Sequence, residues 1–187
     1  MTGSFGRGRG AGGKRTQGSP TPDNTCRTLD FAYSYPPGWR ELRPDERYVF
    51  AQNSRLAVES GIISVPPATS VQASITASRF GSATAEDRRE MFDMRVRLDF
   101  VRQREQALMG SLNRDIPRVR VGREPAMALE FRLPIAPGRP VDAMRRELVV
   151  VHRGVGYTLV LEAVYGDYPL GLGALETILA TWAWSRR

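Results

Sequence analysis

Residues 148–164 constrain this chain more than any other stretch. Leu148, Val149, Val150 and Val151 form an apolar, β-branched run, Arg153-Gly154-Val155-Gly156 follows, and Tyr157, Leu159, Leu161 and Ala163 then alternate along the next segment. Two extended runs around a glycine turn read as a β-hairpin, with the alternation setting one face of the return strand toward a core. Leu172, Leu175, Leu179 and Trp182 follow at helical spacing. A hairpin that feeds a closing helix back onto its own sheet is a packing unit. It carries no conspicuous catalytic group, which favours a docking or scaffold domain over an enzyme.

The chain has 187 residues, 41% of them hydrophobic. That is enough for one domain of about 150 residues with a sizeable core. No apolar run approaches the roughly 20 residues that span a bilayer, and no N-terminal signal h-region is visible. Cys26 is the only cysteine, so intrachain disulfides and cysteine-built zinc sites are excluded. The net charge is +7 but uneven: Arg7, Arg9, Lys14 and Arg15 give residues 1–22 a charge of +4 with no acid. The high pI therefore describes a tail more than a basic domain.

Residues 1–26 are Gly-, Arg-, Ser- and Pro-rich with almost nothing to bury, which predicts a disordered tail ahead of a single domain over 27–187. Order is expected near Thr28, where Leu29, Phe31, Tyr33 and Tyr35 alternate along a first strand. Pro36-Pro37-Gly38 stops that strand and Trp39 opens the next extended stretch. Tyr48-Val49-Phe50 and Gly61–Val65 are further short strand candidates. Val71, Ala73, Ile75 and Ala77 mark a period-2 strand whose small inward residues suit close cover by a helix, and the next element is expected to supply it. Ser82 or Thr84 caps that helix, Glu86 and Asp87 favour its first turn, and it runs from about Ala85 to Leu112, roughly 40 Å. Pro117 excludes its continuation. A turn at Glu124-Pro125 leads to the strand carrying Met127, Leu129, Phe131 and Leu133. Strands, long helix, strands and closing helix together predict an α+β domain on a mostly antiparallel sheet.

Chemistry-bearing motifs are few. His152 is the only histidine, so His pairs and triads are impossible. It reads as structural or exposed, and an acid–base role would need a carboxylate such as Glu147 or Glu162 beside it. Gly6-Arg7-Gly8-Arg9-Gly10 has no strand before it and no helix after it, so it is not a dinucleotide fingerprint. With Phe5 its one aromatic, the tail makes a poor nucleic-acid binder, and no nucleic-acid partner is expected. A transit-peptide remnant and a solvated tail are the other readings. The acid pairs Asp45-Glu46 and Glu86-Asp87 read as loop and helix-start residues rather than metal ligands. No cofactor, metal or catalytic residue is expected.

In order and spacing, several marks resemble the PsbP-like superfamily over residues 28–185. Tyr35-Pro36-Pro37-Gly38-Trp39 resembles that family's entry strand and turn. Val121-Gly122-Arg123-Glu124-Pro125-Ala126, ahead of Leu129-Glu130-Phe131, resembles its strand-to-strand step. Tyr157-Thr158-Leu159 with Leu175–Trp184 is similar to its closing unit. The resemblance implies an α/β/α sandwich and a non-enzymatic protein. It would be a photosystem II extrinsic subunit or thylakoid-lumen paralogue, peripheral to the membrane in the chloroplast thylakoid lumen. There it would dock on a photosynthetic membrane complex and stabilise it or aid its assembly. The alternative is a stand-alone bacterial member of the fold, a chaperone or surface binding module of the cytoplasm or periplasm.

For such a partner the long helix offers a surface. At 100° per residue, Met91, Met94, Leu98, Val101 and Leu108 share one stripe, while Phe92, Val96 and Phe100 lie nearly opposite. The Met/Leu/Val stripe is expected to face the sheet. Phe92, Val96 and Phe100 are then the partner-docking candidates, unless a loop such as Pro134–Pro140 covers them.

Overall fold

Strands β1 (Thr25–Arg27), β2 (Phe31–Ser34), β3 (Arg40–Glu41), β4 (Ile62–Val65) and β5 (Ala73–Ser82) open the fold. Helices α1 (Ala85–Glu90) and α2 (Met94–Leu108) follow, then β6 (Ser111–Val121), β7 (Glu124–Leu133), β8 (Ala143–His152) and β9 (Val155–Val164). A 3₁₀ turn at Tyr165–Asp167, helix α3 (Tyr168–Thr181) and β10 (Ala183–Trp184) complete it. The structure, a computed structural model, describes residues 24–41, 62–65, 73–134 and 142–186. The tail before Asn24, Tyr48–Phe50, Val71 and the loop 135–140 lie outside the described residues.

The expected hairpin is β8–β9. Both central residues of its turn have positive φ, Arg153 at +48° and Gly154 at +74°, as in the mirror-image turns whose twist matches that of the strands. The hairpin is the centre of a sheet ordered β3-β4-β5-β9-β8-β7-β6, antiparallel throughout. A second, smaller antiparallel sheet is ordered β1-β2-β10. The molecule is therefore α+β with a mostly antiparallel sheet and a C-terminal helix.

Period-2 alternation gives the main sheet two different faces. Ala73, Ile75, Ala77, Ala126, Ala128, Leu148, Val150, Leu159 and Leu161 belong to one core cluster, with Ala174, Leu175 and Ile178 of α3 and Phe31, Tyr33 and Trp39. Met127, Leu129 and Phe131 form the other cluster, with Met91. Strand β7 is buried on both sides from Ala126 to Phe131, and each large apolar side chain there contributes about 1.5–3 kcal/mol. In α3 the spacing Gly171, Ala174, Leu175, Ile178 makes one buried stripe. Gly171 is required by the close approach, since a Cβ there would lie 2.6 Å from Leu161 Cδ1.

The structure differs from the sequence expectations at three places. A strand, β1, precedes the first one expected near Thr28: it pairs with β2, and Tyr35 N–H donates to Asn24 O at 2.8 Å. The small inward residues of β5 are covered by α3, not by the next helix, because α1 and α2 follow a connection onto the opposite face, where they meet β6 and β7. The long helix is two helices. Thr84 caps α1 in a capping box with Asp87, and the chain then breaks so that Asp93 accepts from Arg95 N–H at 2.8 Å and caps α2. An aspartate inside a helix competes for backbone donors, and at this position it wins them. Met109, at φ +49°, ends α2 in a left-handed cap. Leu112 accordingly lies in β6, not in a helix.

Candidate functional site

The break at Asp93 resets the phase of the helical stripes, so one wheel drawn from Ala85 misplaces several side chains. Met91 is buried, and Phe100, Val101 and Leu108 pack half-buried against the same cluster. Met94 and Leu98, expected against the sheet, are exposed instead. Of the three docking candidates, Phe92 and Val96 stand outward at 40% exposure each. Phe100 leans onto the core, with the Arg104 guanidinium 5.9 Å above its ring centre. Phe92 and Val96 are thus exposed on the outer side of the helical pair, its shoulder, whereas Phe100 packs half-buried against the core. Beside Phe92 opens a shallow cleft of about 480 Å³, lined by Ala85, Arg88, Arg89, Phe92 and Pro125.

Two buried glutamates, absent from the sequence-based candidates, hold the helices and sheet in register. Glu147, on the α2 face, is 2% exposed. Arg104 of α2 donates to it through Nε at 2.8 Å and through Nη2, and Arg145 donates at 2.6 Å. Burial pushes its carboxyl up, but the Arg104 and Arg145 guanidiniums overcome this and hold it below the ordinary glutamate value. Glu130 faces the other way and accepts from Arg146 at 2.6 Å, from Tyr168 OH at 2.5 Å and from Asn113. Burial again opposes these bonds and loses, so its carboxyl is lowered too. Tyr168 is pushed upward by burial and by Glu130. Every partner here is satisfied, which is what buried charge requires. For Glu130 the sequence signal is cross-strand, with Arg146 standing opposite it, and is visible only once the register is known, whereas Glu147 has Arg145 two residues before it on the same strand face.

His152 does have a carboxylate beside it, but it is neither Glu147 nor Glu162. Glu124, at the start of β7, faces Nδ1 at 3.1 Å and also accepts from Arg88 of α1 at 3.0 Å. Glu162 pairs with Arg145 instead. The His152 ring lies flat on Trp184, with centroids 4.3 Å apart and planes 6° apart. Trp184 in turn explains Gly122 in the Val121–Ala126 step. Its φ is +61°, and a Cβ there would come within 2.9 Å of Trp184 Nε1. Likewise Pro36-Pro37-Gly38 turns the chain, with Gly38 at φ +88°, so that Trp39 enters the core.

Among the described residues no group of three or more His, Cys, Asp or Glu could hold a metal ion. Among them, too, no helix is long and apolar enough to cross a membrane.

No family model matches this sequence, and no curated protein matches it either. Solved structures do. Cyanobacterial PsbP from Synechocystis superposes with a TM-score of 0.57 at 13% identity, over 90% of this chain and 96% of that one. LpqN of Mycobacterium tuberculosis, involved in cell envelope biogenesis, gives a TM-score of 0.50 at 15% identity, over 89% and 87%. A Bacteroides thetaiotaomicron protein gives 0.49 at 12% identity over 84% of this chain, which spans 46% of that longer protein. At these identities the likeness is one of fold, and the fold is PsbP-like.

Proposed function

We propose that this chain is a non-enzymatic binding module that docks peripherally on a membrane protein complex of photosystem type, as an extrinsic subunit or as a stability or assembly factor. The observation that carries this reading is the outer shoulder of the helical pair. An aromatic ring, Phe92, stands 40% exposed in a cleft lined also by Arg88 and Arg89, and Val96 of α2 is exposed to the same degree. Aromatic and arginine side chains are the types favoured at interface centres. Docking by strand addition is disfavoured at the β6 edge of the main sheet. That strand carries Pro117, which has no N–H, and two register breaks, and both devices blunt an edge. The fold of the Synechocystis PsbP supports the photosynthetic setting.

A second reading, a bacterial chaperone or surface binding module, is supported by the comparable likeness to LpqN of Mycobacterium tuberculosis. Affinity capture from native membranes of the source organism, with partners identified by mass spectrometry, tests both. The expected result is capture of one membrane complex by the wild type and its loss with Phe92→Ser/Val96→Ser. Capture that survives the double substitution removes this surface from the proposal. A native protein that never fractionates with photosynthetic membranes overturns the photosystem reading in favour of the second.

A further inference from the structure

We propose that the exposed row Met94, Leu98 and Met109 of α2 pairs two copies of this chain, with the two α2 helices lying antiparallel about a twofold axis. The row is not the shoulder of Phe92 and Val96. At 100° per residue, Leu98 stands about 160° round the helix from Val96. The pairing therefore goes beyond the docking reading and leaves that surface open.

Three large apolar side chains here have no cover. Met94, Leu98 and Met109 are 74%, 51% and 80% exposed. On the helical wheel Met94, Leu98, Arg102 and Glu105 fall within about 80° of one another, and Met109 of the C-cap continues their row. The spacings along it are three and four residues, those of a helix–helix seam. Val101 and Leu108 lie beside this row and pack on Met127, Leu129 and Phe131. The helix thus has a second apolar stripe next to the one its own sheet uses, and such a patch marks an interaction surface.

Charge order selects the occupant. From its N-terminal end the row carries Arg95, Asp99, Arg102 and Glu105, alternating in sign. All four can take a further partner. Asp99 and Arg102 reach each other at 3.8 Å while 67% and 74% exposed. Glu105 spends only Oε1, on Leu112 N–H, and a carboxylate has two oxygens. An antiparallel pair with its axis near residue 100 sets Arg95 against Glu105 of the second copy, and Asp99 against its Arg102. The twofold axis makes each contact twice, so the face is complementary to itself, as a closed dimer requires. The same axis places Met94 about 4 Å along the helix from Met109 of the second copy, and the two Leu98 residues about 7 Å apart. A parallel pair in register would instead set every charge against its own like.

Sedimentation velocity on the full chain over a concentration series tests the pairing. A reversible monomer–dimer equilibrium is expected. Leu98→Asp should leave the protein monomeric over the same series, with its circular dichroism unchanged, because Leu98 is exposed in the single chain. Asp99→Arg and Arg102→Glu should each weaken the dimer about tenfold by opposing like charges. Asp99→Arg/Arg102→Glu together should restore it. Met109→Gly relieves a left-handed cap, so it should weaken the dimer without weakening the fold. Phe92→Ser/Val96→Ser should leave the dimer intact. A wild type that is monomeric throughout, a dimer that survives Leu98→Asp, or one lost with Phe92→Ser/Val96→Ser overturns this interface. Single charge changes without effect, or a double exchange that restores nothing, overturn the antiparallel pairing.

Discussion

Glu147 illustrates how much rests on single side chains here. It is buried, it ties α2 to β8 through Arg104 and Arg145, and its carboxyl titrates below the ordinary range. Glu147→Ala would leave two guanidiniums facing an emptied site, and equilibrium denaturation should show a loss of about 3–5 kcal/mol. The pH dependence follows from the sign of the shifts. Glu130 and Glu147 are both lowered, so their stabilisation is complete above the unfolded glutamate value of about 4.3 and is lost as pH falls through the lower folded values. A melting temperature that is flat near neutrality and falls below about pH 4 is expected, and Glu147→Ala should flatten part of that fall. Met109 offers the opposite case. It is an exposed non-glycine residue at φ +49°, so Met109→Gly should stabilise the fold by roughly 0.5–1 kcal/mol, read as a higher denaturation midpoint.

At the scale of elements, α2 is a helix whose sheet-facing side is only half-buried, with apolar side chains also exposed on its outer side. Its sheet-facing stripe, Phe100, Val101 and Leu108, packs on Met127, Leu129 and Phe131, whereas Phe92 and Val96 lie outside that contact. Phe92→Ser/Val96→Ser should therefore shift the denaturation midpoint little, because exposed substitutions away from the core stay within about 0.5 kcal/mol each. Phe100→Ser should cost about 2 kcal/mol, since it removes the ring that packs against the cluster. If Phe92→Ser/Val96→Ser unfolds the protein instead, the shoulder is core and the docking surface is lost.

For the whole molecule, the small sheet joins the first described strands to the last. Strand β2 lies between β1 and β10. Thr181 accepts from Ser34 N–H at 2.9 Å, and Phe31 stacks on Trp182 at 4.4 Å. The N-terminal strand is thus tied to the C-terminal helix. Deleting residues 1–23 should leave the melting temperature nearly unchanged, as expected for a segment with little to bury. Deleting 1–27 removes β1, with the buried Cys26, and leaves one edge of β2 unpaired, and should lower it by several degrees. Equal melting temperatures for the two deletions would show that β1 adds nothing.

The hairpin, the closing helix, the capping threonine and the class of the fold are all legible from sequence. Each depends on contacts within a few residues, where periodicity and turn chemistry act directly. The break at Asp93 was also written locally, but an amphipathic pattern spanning it concealed the change of phase. What only the tertiary structure decided are the contacts made across the sheet. It determined which helix covers Ala73, Ile75 and Ala77, which carboxylate reaches His152, and how Glu130 and Glu147 find their arginines. Those choices depend on strand order and register, and a shift of one residue would move each of these side chains to the opposite face.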